Sequence, residues 1–160
     1  MASYLFPAGG QRGTTVPVRV GGLFLHNRCG FDLRAKGVAA SRELTRTDRV
    51  WFEGPLLPLP ESQQAEDYPA DMLGRVTISK QTQLGPIRGR LVTSQGAAGG
   101  LIFVVGDLPE VVERERDGRP IPERVTLPVT ANGRIFPRED VDLWEFHATA
   151  GQSVTALAVG

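Results

Sequence analysis

The sequence predicts an all-β protein, and three observations carry that prediction. Glycine and proline are frequent, 19 and 12 residues among 160, and both interrupt helices. The Val, Ile, Thr and Phe residues fall in short runs bounded by Gly, Pro, Asn or Asp, as strands and turns do. No heptad or convincing amphipathic helix is present; Glu110 to Arg116 is the one helix-compatible piece, and its charges would sit all round the helix. Folding a chain of this size buries roughly 70% of the surface that its unfolded form exposes, enough for a real core.

Thr14 to Val20 alternates Val16, Val18 and Val20 with Thr15, Pro17 and Arg19, which predicts a half-buried strand near an edge with Pro17 outward. Gly21 and Gly22 then turn the chain. Leu23, Leu25, Phe31 and Leu33 mark a second strand region, broken around Asn27 to Gly30. Gly37 to Leu44 and Arg49 to Glu53 supply two more short strands, the latter with Val50 and Phe52 on one face and Trp51 on the other. The run from Gly54 to Ala70 holds too many prolines for a central strand and reads as a long surface loop tacked down by Leu56, Leu57 and Leu59. Leu73 to Ser79 resumes alternation with Val76 and Ile78 inward.

The stretch from Ile87 to Glu110 organises the chain. Its apolar runs, Ile87 to Thr93 and Leu101 to Val105, are joined by the glycine-rich series Ser94 to Gly100, which predicts a β-hairpin with a flexible tip. Beyond it the character changes. Asp107 to Arg124 alternates charges in sign, contains three prolines and few apolar residues, and reads as a solvated linker with some extended structure. Val125 to Pro128, Thr130 to Ile135, Val141 to Ala148 and Ser153 to Val159 are four further strand candidates, with Trp144, Phe146 and Ala148 on one face of the third. The expected organisation is therefore one β-sandwich over residues 1–106, a charged linker over 107–124, and a partial second sandwich over 125–160.

Lys and Arg balance Asp and Glu at 18 each, so no basic field exists to collect phosphates and nucleic acid is not an expected partner. The single cysteine, Cys29, excludes an internal disulfide and a cysteine-rich zinc site. No apolar run is long enough to span a bilayer, and MASYLFPAGG lacks the basic and apolar regions of a signal peptide. With strand-like residues running to the last positions, the expectation is an internal piece of a longer exported chain.

His26 and Cys29 in HNRC invite a nucleophilic reading, but adjacency in sequence does not supply the geometry of a base and its orienting group. A turn with Cys29 as a small buried hydrophobe is the simpler reading, and no catalytic residue is assigned. Glu139, Asp140 and Asp142, with Glu145 beyond them, place carboxylates around one turn and offer hard oxygen ligands to calcium. Against calcium stand Arg138 in the same turn and the lack of a glycine-centred loop; apart from that ion no cofactor is expected. Trp51 and Tyr68 are candidates for an aromatic platform that binds a polymer such as a polysaccharide, while Trp144 fits the core better. The glycines of GGQRG and GAAGG lack the Lys-Ser/Thr ending of a phosphate loop and read as turn glycines. Arg134 with Arg138, and Arg88 with Arg90, read as solvated outward positions on strands.

Two resemblances follow. Over residues 5–106, FPAGGQRGTTVPVRVGGLFL near the start and LGPIRGRLVTSQGAAGGLIFVVG at the end resemble an immunoglobulin-like domain of the IPT/TIG type found in bacterial surface proteins. Further on, Pro128, Asn132-Gly133-Arg134-Ile135, Asp140-Val141-Asp142, Trp144, Phe146 and Ala150-Gly151-Gln152 resemble the opening half of a bacterial pre-peptidase C-terminal domain. Glu139 departs from the glycine often found there, and the second half of that domain has no counterpart. The resemblances imply a non-enzymatic β-sandwich module of a larger exported bacterial protein, extracellular, at the cell surface or periplasmic. Its role would be adhesion, spacing or polymer binding, with other domains of the same chain, a polysaccharide or a protein polymer as partners. The alternative they imply is an accessory domain in the secretion, processing or substrate docking of an exported enzyme such as a protease.

Overall fold

A computed structural model describes residues 2–22, 25, 28–47, 72–94, 96–114, 121–135 and 141–159. Among these residues there are thirteen strands and no helix, so the chain is all-β. Nine strands share one sheet: β1 (Ala2–Phe6), β2 (Gly9–Gln11), β3 (Thr15–Gly22), β4 (Arg28–Leu33), β5 (Val38–Ala40), β6 (Glu43–Arg46), β7 (Met72–Ile78), β8 (Gly85–Thr93) and β9 (Gly96–Gly106). Their hydrogen-bonded order is β1-β3-β7-β6-β4-β8-β9-β2, with β5 also on β7.

The two ends of that order, β1 and β2, are consecutive in the chain, and this wraps the sheet into a nearly closed, sandwich-like shell. β1 runs antiparallel to β3; after Pro7 and Ala8 the chain changes layer and β2 runs parallel to β9. The Val104 amide donates to the Ala8 carbonyl at 2.8 Å, which keeps the backbone paired through the crossing. Across the shell β6 closes the other gap, pairing with β4 through Leu44 and with β7 through Arg46.

Alternation decides what lies inside. Val18 and Val20 of β3, Val76 and Ile78 of β7, Leu91 of β8, and Leu101, Phe103 and Val105 of β9 are buried, together with Phe31, Leu33, Leu44 and Met72. Pro17 is outward as predicted. It lies where β3 carries no neighbour on the β1 side, because β1 pairs only from Arg19 onward.

The hairpin exists, but its tip is tighter than the glycine content suggests. The residues 96–100 belong to β9, and Thr93 pairs with Gly96. The register shifts at Gly89 and Arg90, which face Leu101 and Gly99, so Gly100 is an extra residue with φ +98. Glycine reaches that φ without the clash a side chain would meet. The bulge puts Ala98 back on the inner side, where it packs against the core opposite Leu91.

GVAASREL forms two strands, not one. The Ser41 amide donates to the Arg75 carbonyl at 2.9 Å and the Arg75 amide donates to Ser41 Oγ at 2.9 Å, so the chain stays tied to β7 while passing from β5 to β6. Cys29 lies within β4 opposite Leu44 and is not a turn residue. The expected strand over 49–53 and the loop over 54–70 lie outside the described residues.

After β9 the strands are short and pair in parallel. β10 (Glu110–Val112) pairs with β12 (Thr130–Asn132), and β11 (Glu123–Val125) pairs with β13 (Trp144–Phe146). The helix-compatible segment thus begins as a strand, and Ser153 to Val159 forms no ladder, although its sequence alternates like one.

Candidate functional site at the junction of the two β units

A connected polar arrangement among the described residues lies where the wrapped sheet gives way to the C-terminal unit. Leaving β9, Asp107 is held by Arg12, whose Nε and Nη2 donate to Asp107 Oδ1 at 3.0 and 2.7 Å. Gln11 Nε2 donates to the Asp107 carbonyl at 3.0 Å. Both partners sit at the β2 to β3 turn, which the β2·β9 ladder brings beside the end of β9.

The next strand is fastened from the other side. The Thr130 amide donates to the Pro109 carbonyl and the Glu113 amide to the Asn132 carbonyl, both at 2.9 Å, extending the β10·β12 ladder at each end. Asn132 is buried, and its Nδ2 donates to Glu110 Oε2 at 2.9 Å. Burial raises the Glu110 carboxyl above its ordinary value; the Asn132 hydrogen bond lowers it and offsets only part of that rise.

Arg134 follows directly. Its amide donates to Glu113 Oε2 at 3.1 Å. A Cβ at Gly133 would collide with the Asp142 carboxylate and lie 3.4 Å from Glu113 Oε2, so two carboxylates flank the Gly133-Arg134 peptide. The guanidinium carbon stands 5.8 Å from the ring centroid of Tyr4 on β1. Nε and Nη2 of Arg134 and Oδ1 of Asp142 are shut off from solvent. Arg134 is therefore not the solvated outward side chain that its sequence position suggests.

Of the residues proposed for calcium, Glu139 and Asp140 lie outside the described residues and Asp142 is at this junction. Asp142 and Glu113 provide two carboxylates, short of the six to eight oxygens that calcium takes. Among the described residues no group of three or more His, Cys, Asp or Glu side chains is arranged to hold a metal ion. Glu145 is drawn elsewhere, accepting from Arg124 Nη2 at 3.1 Å on an exposed face.

Trp51 and Tyr68, the proposed aromatic platform, lie outside the described residues, as does His26. Cys29 is buried, and desolvation pushes its thiol up, which keeps it protonated and a poor nucleophile. Trp144 is half-buried on β13, less enclosed than a core residue. Arg88 and Arg90 are outward on β8 as predicted; Arg90 shares Asp32 with Arg34, and those two hydrogen bonds, Arg34 first, hold the Asp32 carboxyl below its ordinary value. No helix among the described residues is long and apolar enough to cross a membrane.

Tyr4 and Glu113 carry no local signal that would have marked them. Tyr4 is 130 positions from Arg134 in sequence, and only the wrapping of the sheet brings them together. No protein-family model matches the chain, and no curated protein matches it.

Proposed function

We propose that this chain is a non-catalytic module of a larger exported bacterial protein, acting in adhesion, spacing or polymer binding. The observation that carries the reading is the strand order. The first strand is split, with β1 antiparallel to β3 and β2 parallel to β9. With β3 on β7 and β4-β8-β9 as neighbours, this is compatible with the two-sheet pairing of an immunoglobulin-like sandwich, which supports the IPT/TIG-type reading. The second unit would be the opening part of a pre-peptidase C-terminal-type sandwich, and the exposure of Ile135, Leu157 and Val159 fits a unit that packs against further chain. Cys29, enclosed and with its thiol pushed up by burial, argues only against a nucleophilic role for that one residue.

An antibody against this chain, applied to fractionated cells of its source, tests the reading. The expected antigen is exported and well above 17.3 kDa; an antigen of that size confined to the cytoplasm would sink it. Should the larger polypeptide carry an enzyme, the alternative role in its secretion, processing or substrate docking is decided by deleting the module and assaying export and activity separately. Co-sedimentation with insoluble polysaccharides, comparing the parent with Trp51→Ala and Tyr68→Ala, tests the aromatic platform. The calcium proposal at Glu139, Asp140 and Asp142 predicts that roughly millimolar calcium, the range of extracellular sites, raises Tm in the parent and not in Asp142→Asn.

A further inference from the structure

We infer that Arg134 is a clasp that holds the C-terminal unit against β1, so that the two β units form one rigid body instead of two beads on a charged tether. The clasp belongs to the fold and stands or falls independently of the role proposed above.

Its receiving half is built into the wrapped sheet. Tyr4 of β1 pairs with Gly21 of β3, and a Cβ at Gly21 would collide with Cε1, Cζ and Oη of Tyr4. The missing side chain is what lets the ring pass over Gly21 and holds it at a fixed place. Arg134 covers that ring from the other unit, with its guanidinium carbon 5.8 Å from the centroid. Such stacking strengthens as water is excluded, and two of the guanidinium nitrogens are shut off from solvent.

The delivering half is equally constrained. Arg134 follows the buried Asn132, whose side chain is bonded to Glu110, and its own amide is bonded to Glu113. The carboxylates of Glu113 and Asp142 flank the Gly133-Arg134 peptide, so the backbone that delivers the side chain is held on both sides. A tether would leave the segment after β9 to water. Here Asp107 is fixed by Arg12 and Gln11 at one end, and Glu110 to Glu113 are fixed by β12 at the other. Among the described charges of that segment, Asp107, Glu110 and Glu113 are bonded groups.

Residual dipolar couplings on the full chain test the clasp. Amides of β3, β7, β8 and β9 report the orientation of one unit, and those of β10 to β13 the other. A single alignment tensor is expected to fit both sets in the parent protein. Arg134→Met, which keeps the aliphatic stem and removes the cation, and Tyr4→Leu, which removes the ring, should each raise the undocked population about five- to thirtyfold and split the tensor. Tyr4→Phe keeps the ring and should retain a single tensor. Two tensors in the parent overturn the inference, as does one tensor in Arg134→Met. If Tyr4→Leu disturbs β1 itself, seen as shifts across β3 and β7, Arg134→Met with Tyr4→Phe decides.

Discussion

The wrapped sheet and the C-terminal unit are written in the same alternating pattern, yet they bury very different amounts of what they carry. Every member of the core cluster lies between Leu5 and Val105. Beyond β9 the only buried hydrophobic residue among those described is Val125, while Leu157 and Val159 are 87% and 85% exposed. The difference is not in the residues: Ser153 to Val159 is as apolar and β-branched as parts of β8. It lies in closure. The nine-stranded sheet curls round its inward apolar side chains, whereas the ladders that the described residues form beyond β9 are two-stranded and three residue pairs long.

Two phenylalanines test that contrast with the largest effect. Phe103 is fully buried and Phe146 is 42% exposed. Phe103→Ala is expected to cost about 3–5 kcal/mol through lost burial and the cavity left behind. Phe146→Ala should cost about 1 kcal/mol or less. Urea unfolding monitored by far-UV circular dichroism measures both, and equal losses would break the comparison.

A glycine pair sharpens it within the sheet. A Cβ at Gly74 would collide with Leu44 Cδ2, and Leu44 is fully buried with no space to yield, so Gly74→Ala is expected to cost about 1–3 kcal/mol. A Cβ at Gly99 on β9 meets nothing within 4 Å, and Gly99→Ala should stay within about 0.5 kcal/mol. Similar midpoints for the two variants would show that the shell is looser than its packing implies.

Hydrogen exchange extends the contrast to the backbone. Amides of β7, β8 and β9 that face partner strands should exchange only on global unfolding, and those of 153–159 close to the rate of free chain. Strong protection of 153–159 in a monomer would mean that these residues are paired after all. Protection that appears only with rising concentration would mean that they pair between molecules.

The smallest expected effect concerns Glu110. Its carboxyl is raised in the folded state, so its contribution to stability is fully present below the unfolded value and is lost as pH rises through the folded one. Glu110→Gln keeps an acceptor for Asn132 and removes the charge. The variant should melt above the parent at pH 7, and the gap should close below about pH 4, where the unfolded carboxyl is protonated. A gap that widens on acidification would reverse the assignment of burial as the larger influence.

The strands of the shell were largely legible because a half-buried strand advertises itself by period two. Val16, Val18 and Val20, Val76 and Ile78, and the pair of runs flanking the glycines of the hairpin all point inward as their alternation predicts. Misreadings cluster where a tertiary contact replaces the local preference. The glycines 96–100 look like a loose tip, but pairing with β8 draws them into a strand and converts Gly100 into a bulge. Ser41 is an ordinary residue in sequence and a crossing point in space, because Arg75 satisfies its backbone and side chain together. Arg134 reads as solvated because charge predicts exposure, and it is half-buried because its guanidinium lies over Tyr4.

The β class, the inward set of β3, β7, β8 and β9, the exclusion of an internal disulfide and the change of character after Val105 are all set by the linear chain. Each depends on interactions within a few residues: alternation, turn chemistry, charge and cysteine count. The tertiary structure alone decided that β1 and β2 divide one strand between two layers, that the charged segment after β9 is bound at Arg12 and β12, and that Arg134 meets Tyr4. Those outcomes depend on which distant strands become neighbours when the sheet closes. A linear pattern states which face a side chain will take, but not what will stand opposite it.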